Sequence, residues 1–302
     1  MYAAAAFLLI GARLVGPEIN GANRWLVFGP ISFQPSEIGK LVAILWVARW
    51  LSTYRRRANE FLRGFLLPVG GLGFICVLVL WGPDFGTTVL IGGAGLLLMY
   101  IGGTRPVYLL GTMVSGATVI GGLIWHDEER LSRITSFLNP EKHASGDSYQ
   151  LMNSLYAFME GDLTGLGIGQ SLQKNAYLPE AHTDFILAIL AEELGALGTL
   201  SVMALFVAFF LGGMTIAWRS RDPFARLVAF GITLLISLQA AINVGVVTGS
   251  MPTKGLPLPF ISHGGSNLVI MGAMIGILIR VAYGDPEEDR RTQSVPDSKQ
   301  WI

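Results

Sequence analysis

Tyr177-Leu178-Pro179-Glu180-Ala181-His182-Thr183-Asp184-Phe185 stands directly in front of an apolar run that continues to residue 218. That run decides the fold class, because about 20 residues of helix cross a bilayer and only Glu192 and Glu193 interrupt this one. Ahead of it, two carboxylates and a histidine, stiffened by a proline, form a polar knot at the edge of a hydrophobic segment. Ionisable groups in such places are costly and usually functional. The ordinary alternative is a helix start, with Thr183 or Asp184 as N-cap and Asp184 suiting the helix dipole. Both readings stand on these residues alone.

The rest of the chain agrees with the long run. Of 302 residues, 52% are hydrophobic and 14% charged, and mean hydropathy is +0.53, so an all-α polytopic integral membrane protein is expected. Eight apolar runs, near 1–16, 37–52, 65–82, 86–103, 107–125, 185–218, 225–248 and 266–283, are the expected spans of a single domain over 1–283. The run at 185–218 is too long for one perpendicular crossing, so it should tilt, kink near Gly195 to Gly198, or begin above the membrane. The first run is short and the chain begins almost inside it, from which an upstream portion is expected. Lys plus Arg and Asp plus Glu both number 21, which gives no charge argument for a nucleic acid partner. One cysteine, Cys76, lies in an apolar run and excludes an internal disulfide or a cysteine metal cluster.

Alternation sorts the loops into two sets. One carries Arg55, Arg56, Arg57, Arg63, Arg105, Arg219, Arg221 and Arg226 against only Glu60 and Asp222, and the positive-inside rule makes it cytoplasmic, with both termini. The polar tail 284–302 belongs there and is expected to be disordered. The other set holds 16–35, the turn at Pro83-Asp84, the long segment 126–184, and 248–265. Within the long segment, Tyr149, Met152, Leu155, Tyr156 and Met159 recur at helical spacing, predicting an amphipathic helix on or in the membrane face.

On that second face four groups could carry chemistry. Gln34-Pro35-Ser36-Glu37 opens a span, and Lys40 lies three residues after Glu37, on the same helix face. Glu37 alone suits a first turn, whereas Lys40, a turn into a span, needs a snorkelling route or a partner. Pro83-Asp84-Phe85-Gly86-Thr87 reads as a turn in which Asp84 caps the next helix. The loop from Met251 to Ser266 packs prolines and glycines around Lys254 and suggests a rigid, re-entrant segment. Arg24 and Arg133 complete the basic residues that could meet a phosphate. No HExxH, nucleotide P-loop, GxSxG or His-rich metal pattern occurs.

With these stretches in hand, the chain resembles the SEDS family (FtsW/RodA-like) of cell-wall polymerases. The resemblance rests on Asn20-Gly21-Ala22-Asn23-Arg24-Trp25, Gln34-Pro35-Ser36-Glu37, Pro83 to Thr87, Tyr177 to Phe185, Pro252-Thr253-Lys254-Gly255-Leu256 and Pro259-Phe260-Ile261-Ser262. The wording Leu178 to Asp184 is closer to the division member than to the elongation member. Gly82 stands where the family commonly has Gln, and His263 where it commonly has Tyr. Motif order aligns this chain's first run with the family's third, which implies that two upstream spans are missing.

The resemblance implies a peptidoglycan glycosyltransferase that polymerises lipid II during cell division at the outer face of the bacterial cytoplasmic membrane. Asp184 matches the family's essential aspartate and would be the general base, with polyprenyl pyrophosphate as leaving group. Lys40, Lys254, Arg24 and Arg133 would hold pyrophosphate charge, while Glu37, Asp84 and Glu180 would position them or help bind a divalent cation, Mg or Mn. His182 and Ser262 complete the substrate-binding set. Expected partners are lipid II, the nascent glycan strand, a class B penicillin-binding protein and other division proteins. The rival readings are a lipid II flippase, which would use Glu192 and Glu193 as a relay, and an inactive division scaffold.

Overall fold

The structure, a computed structural model, describes residues 1–19, 22–29, 31–138, 148–173, 182–253 and 255–284. Each of the eight expected apolar runs is helical. They are α1 (Tyr2–Val15), α2 (Pro35–Thr53), α3 (Leu67–Trp81, entered through a π-helical turn at Phe61–Leu66), α4 (Phe85–Ile101) and α5 (Pro106–Trp125). After α6 (Glu128–Leu138) and α7 (Tyr149–Gly161) come α8 (Ile186–Arg219), α9 (Pro223–Val247) and α10 (Gly265–Tyr283). Among the described residues, five helices are long and apolar enough to cross a membrane: Phe61–Trp81, α5, α8, α9 and α10. Helices α1 and α4 are apolar but shorter, and α2 carries Glu37, Lys40 and Arg49.

The boundaries follow local chemistry. Proline stands in the first turn of α2, α5 and α9, where its missing N–H costs nothing. Asp222 caps α9 by accepting from the N–H of Phe224 and Ala225. Helices α2, α4 and α9 form the centre, with Ile44, Val47, Leu98, Ile232, Leu235 and Ile236 buried between them and Leu72 and Ile75 of α3. Helix α5 is peripheral: Leu109 is its one buried residue.

One feature differs from the expectation. A short antiparallel hairpin, β1 (Leu26–Phe28) with β2 (Ile31–Phe33), fills part of the 16–35 loop. The amphipathic helix α7 forms as expected, with Tyr156 and Met159 exposed, while Leu151, Asn153, Ser154, Ala157 and Gly161 are buried against protein. Small residues let α7 approach α8 closely, so that a Cβ at Gly161 would overlap the carbonyl of Ala191. The polar tail beyond Gly284 lies outside the described residues.

Candidate active site at one end of the bundle

Lys40 sits one turn inside α2 and is completely buried. Its Nζ lies 2.8 Å from Oε2 of Glu37 and donates at 2.8 Å to Oε1 of Gln239 on α9. Gln239 passes the link on, because its Nε2 donates at 2.8 Å to the carbonyl oxygen of Pro257. The partner that a lysine inside a span requires is therefore a carboxylate on its own helix and an amide on a central one. In this geometry the Lys40 charge is spent inside the protein, at the root of the 255–258 loop.

Asp84 is equally occupied. Oδ1 accepts from the N–H of Thr87, the N-cap bond of α4, and Oδ2 accepts from Nε2 of Gln34 at 3.0 Å and Oγ of Ser36 at 3.2 Å. The carboxylate thus ties the start of α2 to the start of α4, with 4% exposure. It is a cap and a clamp together.

Asp184, half-buried, ends the segment before α8. Three bonds fasten its neighbourhood to α9 and to the loop after it. Oγ of Ser262 donates to the oxygen of Thr183 at 2.5 Å while accepting from the N–H of Leu258, and the N–H of His263 donates to the oxygen of His182 at 2.9 Å. Nδ2 of Asn243 donates to the backbone oxygens of both Asp184 and Leu256, each at 2.8 Å. The Asp184 carboxylate lies over Gly255: a Cβ there would come within 3.1 Å of Oδ2. The loop is re-entrant, since Gln239 lies eight residues before the end of α9, roughly 12 Å of helix.

Beside this junction a cleft of about 540 Å³ is lined by His182, Ile186, Phe260, Ser262, His263 and Leu268 among others. Its wall is mostly apolar, with both histidines exposed at it. A larger cleft of about 730 Å³ lies at the other end of the bundle among Arg219, Arg221, Asp222 and Arg280, and contains none of the predicted site residues.

Helix α8 breaks where its length required. Gly195 has φ 70° and ψ −169°, a region open essentially to glycine. The segment 162–167 is inserted into the gap. Leu166 and Gly167 donate to the oxygens of Glu192 and Glu193, while Ala196 and Leu197 donate to the oxygens of Asp162 and Leu163. Backbone groups released by the break are thus satisfied by protein, as a low-dielectric setting demands. The Glu192 side chain, fully buried, accepts from Oγ of Ser171 at 2.5 Å and from the N–H of Leu172 at 2.7 Å. It anchors the chain that leads toward the Tyr177–Ala181 motif.

Other predicted residues fall elsewhere. Arg24 is half-buried above the α3–α4 turn, with its Cβ 4.0 Å from where a Cβ at Gly82 would stand, and its Nε is enclosed without a hydrogen-bond partner. Arg133 is exposed on α6. Arg130 of α6 reaches the Asp84–Phe85 turn, where its guanidinium stacks 3.7 Å over the Phe85 ring. Lys254 and Glu180 lie outside the described residues. Among the described residues, no three His, Cys, Asp or Glu side chains come together to hold a metal. The Glu37 and Asp84 carboxylates are committed to Lys40 and to the α2–α4 clamp. In this geometry neither of those two carboxylates is open to a divalent cation.

Sequence reasoning missed Gln239 and Asn243. Their signal was two amides, four residues apart, inside an otherwise apolar span.

Comparison with known proteins identifies the family. The family described as "Cell cycle protein" (FTSW_RODA_SPOVE) matches residues 1–286. "Probable peptidoglycan glycosyltransferase FtsW" of Coxiella burnetii is 43% identical over 282 residues, covering 91% of this chain and 75% of that protein. The protein of the same name from Idiomarina loihiensis is 39% identical over 279 residues, covering 91% and 68%. Among solved structures, "Structural coordination of polymerization and crosslinking by a peptidoglycan synthase complex" aligns with TM-score 0.76 at 27% identity, over 94% of this chain and 81% of that one. The Thermus thermophilus rod shape determining protein RodA aligns with TM-score 0.67 at 26% identity, over 94% and 78%.

Proposed function

The chain belongs to the FtsW/RodA/SpoVE family of cell cycle proteins, and from that premise we propose that it is a peptidoglycan glycosyltransferase that lengthens glycan strands from lipid II during division. The observation that carries the reading is the junction at Asp184: one half-buried carboxylate, held by backbone clamps against a re-entrant loop, beside a cleft with an apolar wall. In the proposed reaction a sugar hydroxyl of the acceptor loses its proton to Asp184 as its oxygen attacks the anomeric carbon of the donor. The bond from that carbon to the pyrophosphate oxygen breaks, and polyprenyl pyrophosphate leaves. The 182–184 segment and the 255–263 loop supply orientation.

Lys254, Arg24 and Arg133 are proposed to hold the pyrophosphate charge, with Glu180, His182 and Ser262 shaping the substrate site. Lys40, Glu37 and Asp84 are proposed to act from beneath, by holding the loops in place. The positive-inside rule puts the Arg55–Arg57 end in the cytoplasm and Asp184 on the outer face. A class B penicillin-binding protein would cross-link the product, a proposal supported by the similarity to a chain from a peptidoglycan synthase complex. The transporter reading needs Glu192 and Glu193 as a relay; the bonds that the Glu192 carboxylate accepts from Ser171 and Leu172 favour an anchoring role for it instead.

The test uses purified chain and a longer form with upstream sequence, labelled lipid II, and Asp184→Asn in parallel. Glycan polymer from wild type and none from the variant supports the reading. Equal polymer from both removes Asp184 as base. Lipid movement across vesicles without polymer would establish the transporter instead.

A further inference from the structure

Gln239 and Asn243 stand one turn apart on α9 and project from the same face, with 0% and 1% exposure. Neither can touch substrate. Asn243 spends both hydrogens of one amide on two chain segments, one 59 positions before it and one 13 after it. Its acceptor, Oδ1, is enclosed without a hydrogen-bond partner. The side chain's value at this place is therefore its pair of donors.

What those donors hold is specific. The Asp184 carbonyl lies outside the α8 ladder, whose first turn is accepted by Phe185 from the N–H of Ala188 and Ile189. Helix formation alone does not fix the Asp184 peptide; the bond from Asn243 does. The orientation of Gln239 is fixed by its neighbour, because lysine only donates. Oε1 must face Lys40, which turns Nε2 onto the oxygen of Pro257. Consecutive loop carbonyls, Leu256 and Pro257, are thus held from consecutive turns of one rigid helix, and the nearer amide also holds Asp184.

We infer that Gln239 and Asn243 are positioning residues that set the separation between the Asp184 carboxylate and the 255–258 loop. The inference rests on the assignment of Asp184 as the base. A displacement of about 1 Å at a reacting group costs on the order of 10²-fold in rate. Releasing the Asp184 peptide therefore acts on turnover more than on binding.

The experiment compares Asn243→Ala, Asn243→Asp and Gln239→Glu with wild type in the full chain, measuring kcat, KM for lipid II, the pH profile and backbone hydrogen exchange. Asn243→Ala is expected to lower kcat on the order of 10²-fold, with KM within about twofold. Gln239→Glu keeps an acceptor for Lys40 but loses the donor to Pro257, so it lowers kcat in the same sense. A carboxylate at 243 cannot donate, whereas a carboxylic acid donates one hydrogen. The ratio of Asn243→Asp to wild-type activity is therefore expected to rise as pH falls, while the ratio for Asn243→Ala stays flat. Because a carboxylate buried at 243 also makes folding pH-dependent, each ratio is taken per folded protein at each pH.

Exchange at residues 184–188 and 256–262 is expected to quicken in Asn243→Ala. Wild-type kcat in Asn243→Ala, a loss that follows only the folded fraction, or unchanged exchange overturns the inference. If wild type makes no polymer, the glycosyltransferase reading fails. The exchange result then still decides whether Asn243 positions Asp184.

Discussion

Replacing Gly195 by alanine sets two responses against each other, and the structure says which is cheaper. If the break persists, alanine must occupy φ 70° and ψ −169°, which costs about 1–3 kcal/mol. Its Cβ would also lie 2.4 Å from Gly165 N and 2.5 Å from Leu163 O, overlaps with backbone that cannot swing aside. If α8 instead straightens, the N–H groups of Ala196 and Leu197 return to the oxygens of Glu192 and Glu193, the ordinary i to i−4 partners. The inserted segment then loses four bonds while the helix regains two, a net cost of about 2 kcal/mol at roughly 1 kcal/mol per bond.

Straightening wins, and it expels 162–167. Residue-resolved hydrogen exchange in nanodiscs should show the amides of Leu166 and Gly167 losing protection on the order of 10²-fold or more, while Ala196 and Leu197 stay protected. Gly212→Ala on the same helix, where an added Cβ meets nothing within 4 Å, should leave all four unchanged. Protected Leu166 and Gly167 amides in Gly195→Ala would refute the reasoning. The expected functional corollary is reduced polymerisation, because the anchor from Glu192 to residues 171–172 shifts with the segment.

Further outcomes follow from the buried polar contacts. Glu192→Ala removes the acceptor of the Ser171 hydroxyl and of the Leu172 and Gln173 N–H groups, a loss of about 2–6 kcal/mol at 1–3 kcal/mol for each of the two shorter bonds, seen as a lower melting temperature. Glu192→Gln keeps one acceptor and should lose about 1 kcal/mol. Lys40→Met leaves the Glu37 charge buried and should destabilise by about 3–5 kcal/mol; the double change with Glu37→Gln should recover most of it in a double-mutant cycle. Asp84→Ala removes the α4 cap and the ties to Gln34 and Ser36, costing about 2–3 kcal/mol, whereas Asp84→Asn keeps the cap and should cost under about 1 kcal/mol in the same melting assay.

What the sequence made legible was set by range. The apolar runs became helices because hydropathy is a local property, and the break near Gly195 was foreseeable because 34 helical residues span about 51 Å against about 30 Å of hydrocarbon. Asp84 as a cap was legible from the residues beside it. Of the two partners of Lys40, Glu37 was legible three residues away, whereas Gln239, 199 positions away, was not. Glu192 was legible as an acid near a helix break, but not as the acceptor for a loop that enters from 20 positions upstream. The stripe Tyr149 to Met159 marked a helix correctly while misdirecting attention from its small buried face, because close packing needs few large side chains.

The Glu37–Lys40 pair also bears on electrical behaviour. A full elementary charge carried across a membrane exchanges about 2.3 kcal/mol per 100 mV with the potential. Here opposite charges lie 2.8 Å apart on one helix turn, so a slide of α2 moves them together and the pair displaces no net charge. The pair therefore adds nothing to the response of α2 to the potential, and Arg49 is the charge on that helix through which a potential would act.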